Sequence, residues 1–288
     1  MTRETQERRI ETQIEIAAPV EDVWRALTDA EWLTNWFPLE ARVRPGVGGS
    51  IWTSWGGGAA FESPIAAWEE NKHLRLLYMP ATPPEKIDEA TAQGMYIPFE
   101  VAVDYFLDSN GGSTVLRLVH SGFSDDAAWD TQYDGTVTGW ALELRGLRHF
   151  LEKHRGVKRD VVWARHDITG LSLPDAWSRL FTDDGLRPRN AVETLEAGDR
   201  YSFTTPRGDS FEGAVQIVQP PRHFCGTAEN LDNALLRIKL DEQCFTAPKP
   251  EIHLMLSTFG LPRAETDGLR DRAQSMLNDL YNAMVESK

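Results

Sequence analysis

Only two cysteines, Cys225 and Cys244, occur in 288 residues. That is too few for a disulfide framework, and no CxxC or Cys/His spacing suggests zinc, so both are expected to be ordinary buried thiols. Long apolar runs are missing as well. None approaches the roughly 20 residues that span a bilayer, and the stretch Met1 to Arg9 lacks the apolar centre of a signal peptide, so a cytoplasmic protein without a membrane span is expected. Basic residues are in deficit, 30 against 44 acids for a net charge of -14, and both halves share it: 24 acids and 15 bases over 1–158, 20 and 15 over 159–288. Without Lys and Arg clustered on one face, neither nucleic acid nor an anionic membrane surface is an expected partner.

Signatures of chemistry are equally scarce. The seven histidines form no HExxH and no ligand pair on one helix face, and no GxSxG elbow occurs. The glycines at 46, 48 and 49 and at 56 to 58 lack the GxGxxG spacing or a Gly-Lys-Ser/Thr ending, and read as turns. No metal, no cofactor and no catalytic set is expected.

What the chain does have is a weak internal duplication. Asp22-Val23-Trp24-Arg25-Ala26-Leu27 recurs as Asp175-Ala176-Trp177-Ser178-Arg179-Leu180, and Phe61-Glu62 as Phe211-Glu212. At the same offset His73 falls on His223. A period near 150 residues means two copies of a whole domain, here 1–158 and 159–288. In the first copy Ile10, Thr12, Ile14 and Ile16 alternate as a strand. Val20, Val23, Trp24 and Leu27 follow at helical spacing behind Pro19, and a second short helix carries Leu33, Trp36 and Phe37. A meander of five strands comes next, ending in Phe99 to Leu107, a turn at Asn110-Gly111-Gly112, and the return strand with Leu116, Leu118 and His120. A long helix starting near Ser124 closes the domain, with Trp129, Tyr133, Val137, Trp140, Leu144, Leu147 and Leu151 on one face. Gly139 within that helix suggests close approach to the sheet. The order β-α-α-β5-α, twice, predicts an α+β protein of two tandem helix-grip domains.

That order resembles the START-like, birch-pollen-allergen superfamily. The finer resemblance is to the branch named after the activator of the ninety-kilodalton heat-shock protein ATPase. It is carried by Ala18-Pro19, Val23-Trp24, Ala26-Leu27, Trp36-Phe37, Gly48-Gly49 with Trp52, the run Phe61 to Tyr78, His120-Ser121-Gly122-Phe123, and Gly139-Trp140 with Leu144 and Leu147. The likeness is close over about residues 10 to 155 and holds only in outline for the second copy. It implies a cavity between sheet and long helix that takes hydrophobic or aromatic molecules. The family also includes polyketide cyclases and chaperone activators.

Eight of ten tryptophans lie in the first copy. A cavity there is therefore expected, lined by Trp52, Tyr78, Phe99, Val101, Val103, Leu116, Leu118, Trp129, Tyr133 and Trp140. His120 is expected at its mouth, as a polar contact near neutral pH. Ser257 stands at the corresponding place in the second copy, which is expected to be a packing partner. The long connection Pro80 to Pro98 is a candidate lid, with a short helix over Glu85 to Gln93 and Gly94-Met95-Tyr96 over the entrance. The expected function is non-enzymatic binding of a hydrophobic small molecule. The alternatives are a protein that binds a chaperone-like partner and a cyclase-like enzyme using His120 with Tyr78 or Tyr133.

Overall fold

In a computed structural model of the chain, residues 5–56, 59–92, 96–242 and 249–282 are described. The chain divides into two compact units, Met1–Val137 with Gly146–Gly156, and Thr138–Arg145 with Val157–Lys288. Each unit is built on a seven-stranded antiparallel sheet with helices, the α+β helix-grip architecture present twice.

The first unit runs β1 (Glu7–Ile16), α1 (Val20–Thr28), α2 (Ala30–Leu33), β2 (Glu40–Arg44), β3 (Ser50–Ser54), β4 (Ala60–Glu69), β5 (His73–Met79), α3 (Ile87–Ala92), β6 (Val101–Asn110), β7 (Ser113–Ser124) and α4 (Asp130–Lys153). The sheet order is β1-β7-β6-β5-β4-β3-β2, a meander that closes on the first strand. Strand β2 has no counterpart in the sequence pattern. It is a five-residue edge whose alternation of Ala41 and Val43 with exposed Glu40, Arg42 and Arg44 is short and only half-buried, too little to mark a strand.

Local chemistry sets the helix starts. Glu21 and Asp22 occupy the first turn of α1, where acids oppose the helix dipole, and Val23, Trp24, Ala26 and Leu27 form its buried face. The Asp29 carboxylate accepts from Trp32 N at 3.0 Å and caps α2. The long helix begins later than Ser124. Ser124 Oγ accepts from Asp126 N at 3.0 Å, the Asp126 carboxylate accepts from Ala128 N at 2.8 Å, and a 3-10 turn over Ala127–Trp129 precedes α4. Successive side-chain caps hold that turn apart from the helix proper. The expectation for Gly139 is overturned: a Cβ there would meet nothing within 4 Å, so no close approach explains it. Gly122 is the glycine that a neighbour demands. Its φ is +94°, and a Cβ would lie 2.3 Å from the carbonyl oxygen of Glu100 on the adjoining chain.

The second unit runs β8 (Arg159–Asp167), α5 (Leu173–Leu180), β9 (Arg187–Pro188), β10 (Arg200–Thr204), β11 (Ser210–Gln219), β12 (His223–Ala228), β13 (Ala234–Asp241), β14 (Glu251–Phe259) and α6 (Arg263–Asn282). Its strand order, β8-β14-β13-β12-β11-β10-β9, repeats that of the first. The duplicated segments take equivalent places: Asp22 to Leu27 and Asp175 to Leu180 lie in α1 and α5, and His73 and His223 each open the fourth strand after the first. Trp177, Phe203, Phe224, Leu236, Leu254, Leu256 and Met276 belong to one contiguous core. Ser257 corrects the expected correspondence with His120. Ile252, Leu254 and Leu256 face that core, and a period of two puts Ser257 on the other side of β14. The unit also takes in residues 138–145 of α4, where Leu142 packs with Cys225 and Leu235, and Arg237 donates to Glu143 at 2.9 Å. Cys244 lies outside the described residues. Among those described, no helix is long and apolar enough to cross a membrane.

Candidate functional site

The inner face of the first sheet is a close-packed wall. Val101, Val103, Leu116 and Leu118 are at most 1% exposed, so these predicted lining residues are core. Among the described residues, a small space lies toward α1 and α2. There a void of about 10 Å3 is bounded by Leu27, Leu33, Trp36, Phe37, Ile51, Thr53, Ser63, Leu76, Tyr78 and Tyr105. That is room for about one water molecule.

Two phenols face this void. Tyr78 is half-buried as a residue, but its hydroxyl is the enclosed end, in a hydrogen bond with Tyr105, itself 3% exposed. Burial pushes the Tyr78 pKa up to about 12, against the opposing effect of that hydrogen bond. Tyr78 is therefore a neutral phenol across the physiological range. Beside it lies His120, 6% exposed, with ring centroids 5.4 Å apart. Desolvation lowers the His120 pKa to about 3, so the imidazole is neutral at pH 7 and lies well below the range of a base poised for proton transfer there.

The other predicted residues are dispersed. His120 packs at 4.8 Å on Phe123, which in turn meets the half-buried rings of Tyr133 at 5.4 Å and Trp129 at 6.3 Å. The Tyr133 hydroxyl donates to Arg9 O at 3.2 Å, and the Arg8 guanidinium lies 4.7 Å over its ring. Trp140, 5% exposed, falls in the stretch of α4 that groups with the second unit. Phe99 is half-buried ahead of β6, and Tyr96 is 36% exposed. Trp52 needs correction. Ile51 and Thr53 point into the void, so alternation turns Trp52 to the opposite face, where the Arg42 guanidinium covers it at 4.2 Å. The Pro80 to Pro98 connection contains a 3-10 turn at Pro84–Lys86 and then α3, and its base is tied by Thr82 N to Ile97 O at 2.8 Å and Ile97 N to Thr82 Oγ1 at 2.9 Å. The Gly94-Met95 part of the expected lid lies outside the described residues.

Of the residues expected from sequence, Tyr78 lines this void and His120 packs beside Tyr78, while the α1–α2 side of the void was not expected. Part of that side was visible: Trp36-Phe37 stands out as a motif, and Tyr105 shares the strand alternation of Val101 and Val103. The polar wall residues Thr53 and Ser63 carried no signal. Among the described residues no group of three or more His, Cys, Asp or Glu could hold a metal ion.

Residues 17–152 match the family described as "Activator of Hsp90 ATPase homolog 1-like protein". Over those residues, somewhat less than half of the chain, the sequence is similar to this family. The match runs from the end of β1 to the last turn of α4, so it takes in every side chain at the void. Among solved structures, a protein from Mesorhizobium loti is 25% identical, with 51% of this chain and 98% of that one covered at a TM-score of 0.41. The Aha1 dimer from Colwellia psychrerythraea is 21% identical over 52% of this chain and 99% of that one, at 0.42. A match along both domains is the di-domain ARO/CYC BexL from the BE-7585A biosynthetic pathway, 15% identical over 95% and 96% at 0.41. No curated protein matches the chain at a significant level.

Proposed function

We propose that the first domain, taken as residues 1–158, binds a small hydrophobic or aromatic molecule carrying one polar group, and that the second, residues 159–288, does not. The observation that carries this reading is the Tyr78–Tyr105 hydroxyl pair at a void otherwise walled by Trp36, Phe37, aliphatic side chains and the hydroxyl residues Thr53 and Ser63. Sites for small molecules combine an apolar lining with a few directed polar groups. A ligand oxygen can replace one phenol as partner of the other at no net loss of hydrogen bonds. The neutral imidazole of His120 supplies a further polar edge.

A void of one water's volume has to widen. A route is available along Phe37, which meets Trp55 edge-to-face at 5.0 Å, and Trp55 in turn meets Phe61 at 6.1 Å. Phe61 is 48% exposed, so this aromatic series leads from the interior to solvent. The exposed Phe61 and Leu39 also favour a second reading, in which this edge of the sheet receives a protein partner.

Native mass spectrometry of the purified chain, then tryptophan quenching with fatty acids, sterols and polycyclic aromatics, tests the proposal. The expected outcome is one saturable apolar ligand whose affinity falls about fivefold in Tyr78→Phe, the value of one neutral hydrogen bond. Absence of saturable binding by every class, with quenching confined to partner proteins, removes the ligand reading in favour of the second.

A further inference from the structure

The wall of the interior void in the first unit carries more than the phenol pair. Tyr105 on β6, Tyr78 on β5, Ser63 on β4 and Thr53 on β3 all border it, and these four strands are consecutive in the sheet. Each strand thus sends one hydroxyl residue to the same face. At a strand spacing of about 4.8 Å, the row is about 14 Å wide across the backbone. Thr53 and Ser63 are 8% and 5% exposed. Among the described residues neither of their hydroxyls has a hydrogen-bond partner, and neither oxygen is closed off from a water-sized molecule. Groups so placed have given up most of their hydration without a partner in the fold, which favours a ligand atom that supplies one.

The second unit shows what stands at these positions where no such row is kept. Thr53 opposes Phe61 across β3 and β4, and its counterpart Phe203 opposes Phe211 across β10 and β11. Ser63 lies two residues beyond Phe61, and Gly213 lies two beyond Phe211. Tyr78 is the sixth residue of β5, and Ala228 the sixth of β12. Tyr105 opposes Leu74, and Ile238 opposes Phe224, the second residue of each of those strands. The same architecture therefore stands on Phe203, Gly213, Ala228 and Ile238, with no hydroxyl among them. Charge is the other restriction. No charged residue is among those bordering the void of the first unit, so a carboxylate or ammonium group would lose its hydration there with no counter-charge to replace it.

We infer that the interior site of the first domain selects uncharged ligands with oxygens at two ends, one bound by the Tyr78–Tyr105 pair and the other by Ser63 and Thr53. This rests on the ligand-binding reading above and adds to it a second polar anchor and a rule of charge. Diols, bisphenols and hydroxyketones fit the class, and fatty acids do not.

Isothermal titration at pH 7 with naphthalene-2,6-diol, 2-naphthol and 2-naphthoate tests the inference. One site is expected, with the diol about fivefold tighter than 2-naphthol, the worth of one further neutral hydrogen bond, and the carboxylate at least about tenfold weaker than 2-naphthol. In the double variant Thr53→Val/Ser63→Ala the diol loses its advantage over 2-naphthol, and Thr53→Ser, which retains the hydroxyl, keeps it. Circular dichroism reports whether each variant is folded; if the double variant is not, Ser63→Ala alone carries the comparison, with part of the advantage lost. Saturable binding of 2-naphthol with no advantage for the diol, or an advantage that survives in the folded variants, overturns the inference and leaves the ligand-binding reading standing. Equal binding of 2-naphthoate and 2-naphthol overturns it as well. Absence of binding by all three probes overturns both together.

Discussion

In the second domain the hydroxyls of Tyr201 and Tyr281 donate to backbone carbonyls, those of Thr227 and Ala176, each at 2.8 Å. In the first, Tyr78 and Tyr105 bond to one another at a void that Thr53 and Ser63 also face. Among the described residues each domain holds a void of about 10 Å3, so size does not tell these two voids apart. The partners of the buried polar groups do. A phenol tied to main chain is part of the fold, because a buried carbonyl needs its donor. Two phenols tied to each other can release one bond and accept a ligand. At the second domain's void the polar wall residues are already engaged, Asp209 by Arg272 at 2.7 Å and the Thr205 hydroxyl by Asp209 N at 3.1 Å, among Val162, Phe211, Leu254, Leu256, Leu269, Ala273 and Met276.

The hardest way to strain this comparison is to cut each core. Trp36, 1% exposed with Nε1 donating to Ala26 O at 2.8 Å, and Phe224, 0% exposed, anchor the two interiors. Trp36→Ala and Phe224→Ala should each cost about 3–5 kcal/mol in urea denaturation. Eight of ten tryptophans lie in residues 1–158, so fluorescence reports chiefly the first domain and circular dichroism both. A loss near 1 kcal/mol for Trp36→Ala means that its surroundings collapse around the gap, and that the interior of the first domain is the more plastic of the two.

Titration of the buried histidines is next in size. His120 falls from its ordinary 6.5 to about 3 by burial, and His223 to about 4 by burial first and then by the charges of Lys239, Arg145 and Arg222. In each case the unfolded chain takes up a proton at a pH where the native state refuses it. Stability is therefore full above pH 6.5 and is lost as pH falls through the interval down to about 3 for His120 and about 4 for His223. Between pH 7 and pH 5 the His120 contribution is about 2 kcal/mol. His120→Gln and His223→Gln should each flatten the pH dependence of urea midpoints. An unchanged slope in His120→Gln removes the buried neutral imidazole from the first domain.

The smallest effect is the most discriminating. Tyr201→Phe should cost about 1 kcal/mol of stability, since it leaves the Thr227 carbonyl without its donor, with ligand affinity intact. Tyr78→Phe should do the reverse, altering affinity and leaving stability nearly constant. Equal stability losses in both variants would make the Tyr78–Tyr105 pair as structural as its counterparts.

The fold was legible because its signals are local. Asp22 to Leu27 and Asp175 to Leu180 announce the repeat, and the alternation of Val101, Val103 and Tyr105 announces a strand with one face on the core. Strand β2 escaped because its alternation rests on two small apolar residues only, Ala41 and Val43, over five positions. The site was legible only in part. The tryptophan count drew attention to the first domain and strand alternation to His120, but Trp52 was assigned to the wrong face because aromatic character says nothing about which way a strand residue turns. Register decides that: Trp52 opposes Arg42 and Glu62, while Ile51 opposes Ser63 at the void.

The sequence by itself determined the repeat, the α+β class, the helix faces and the acidic surface, because each depends on neighbours a few residues away or on composition. Tertiary structure alone decided that the void lies beneath α1 and α2, that Thr53 and Ser63 reach it, and that Tyr78 meets Tyr105 rather than a backbone carbonyl. Those choices depend on strand register and on how side chains from distant segments exclude one another in a filled interior. No window of sequence contains that information.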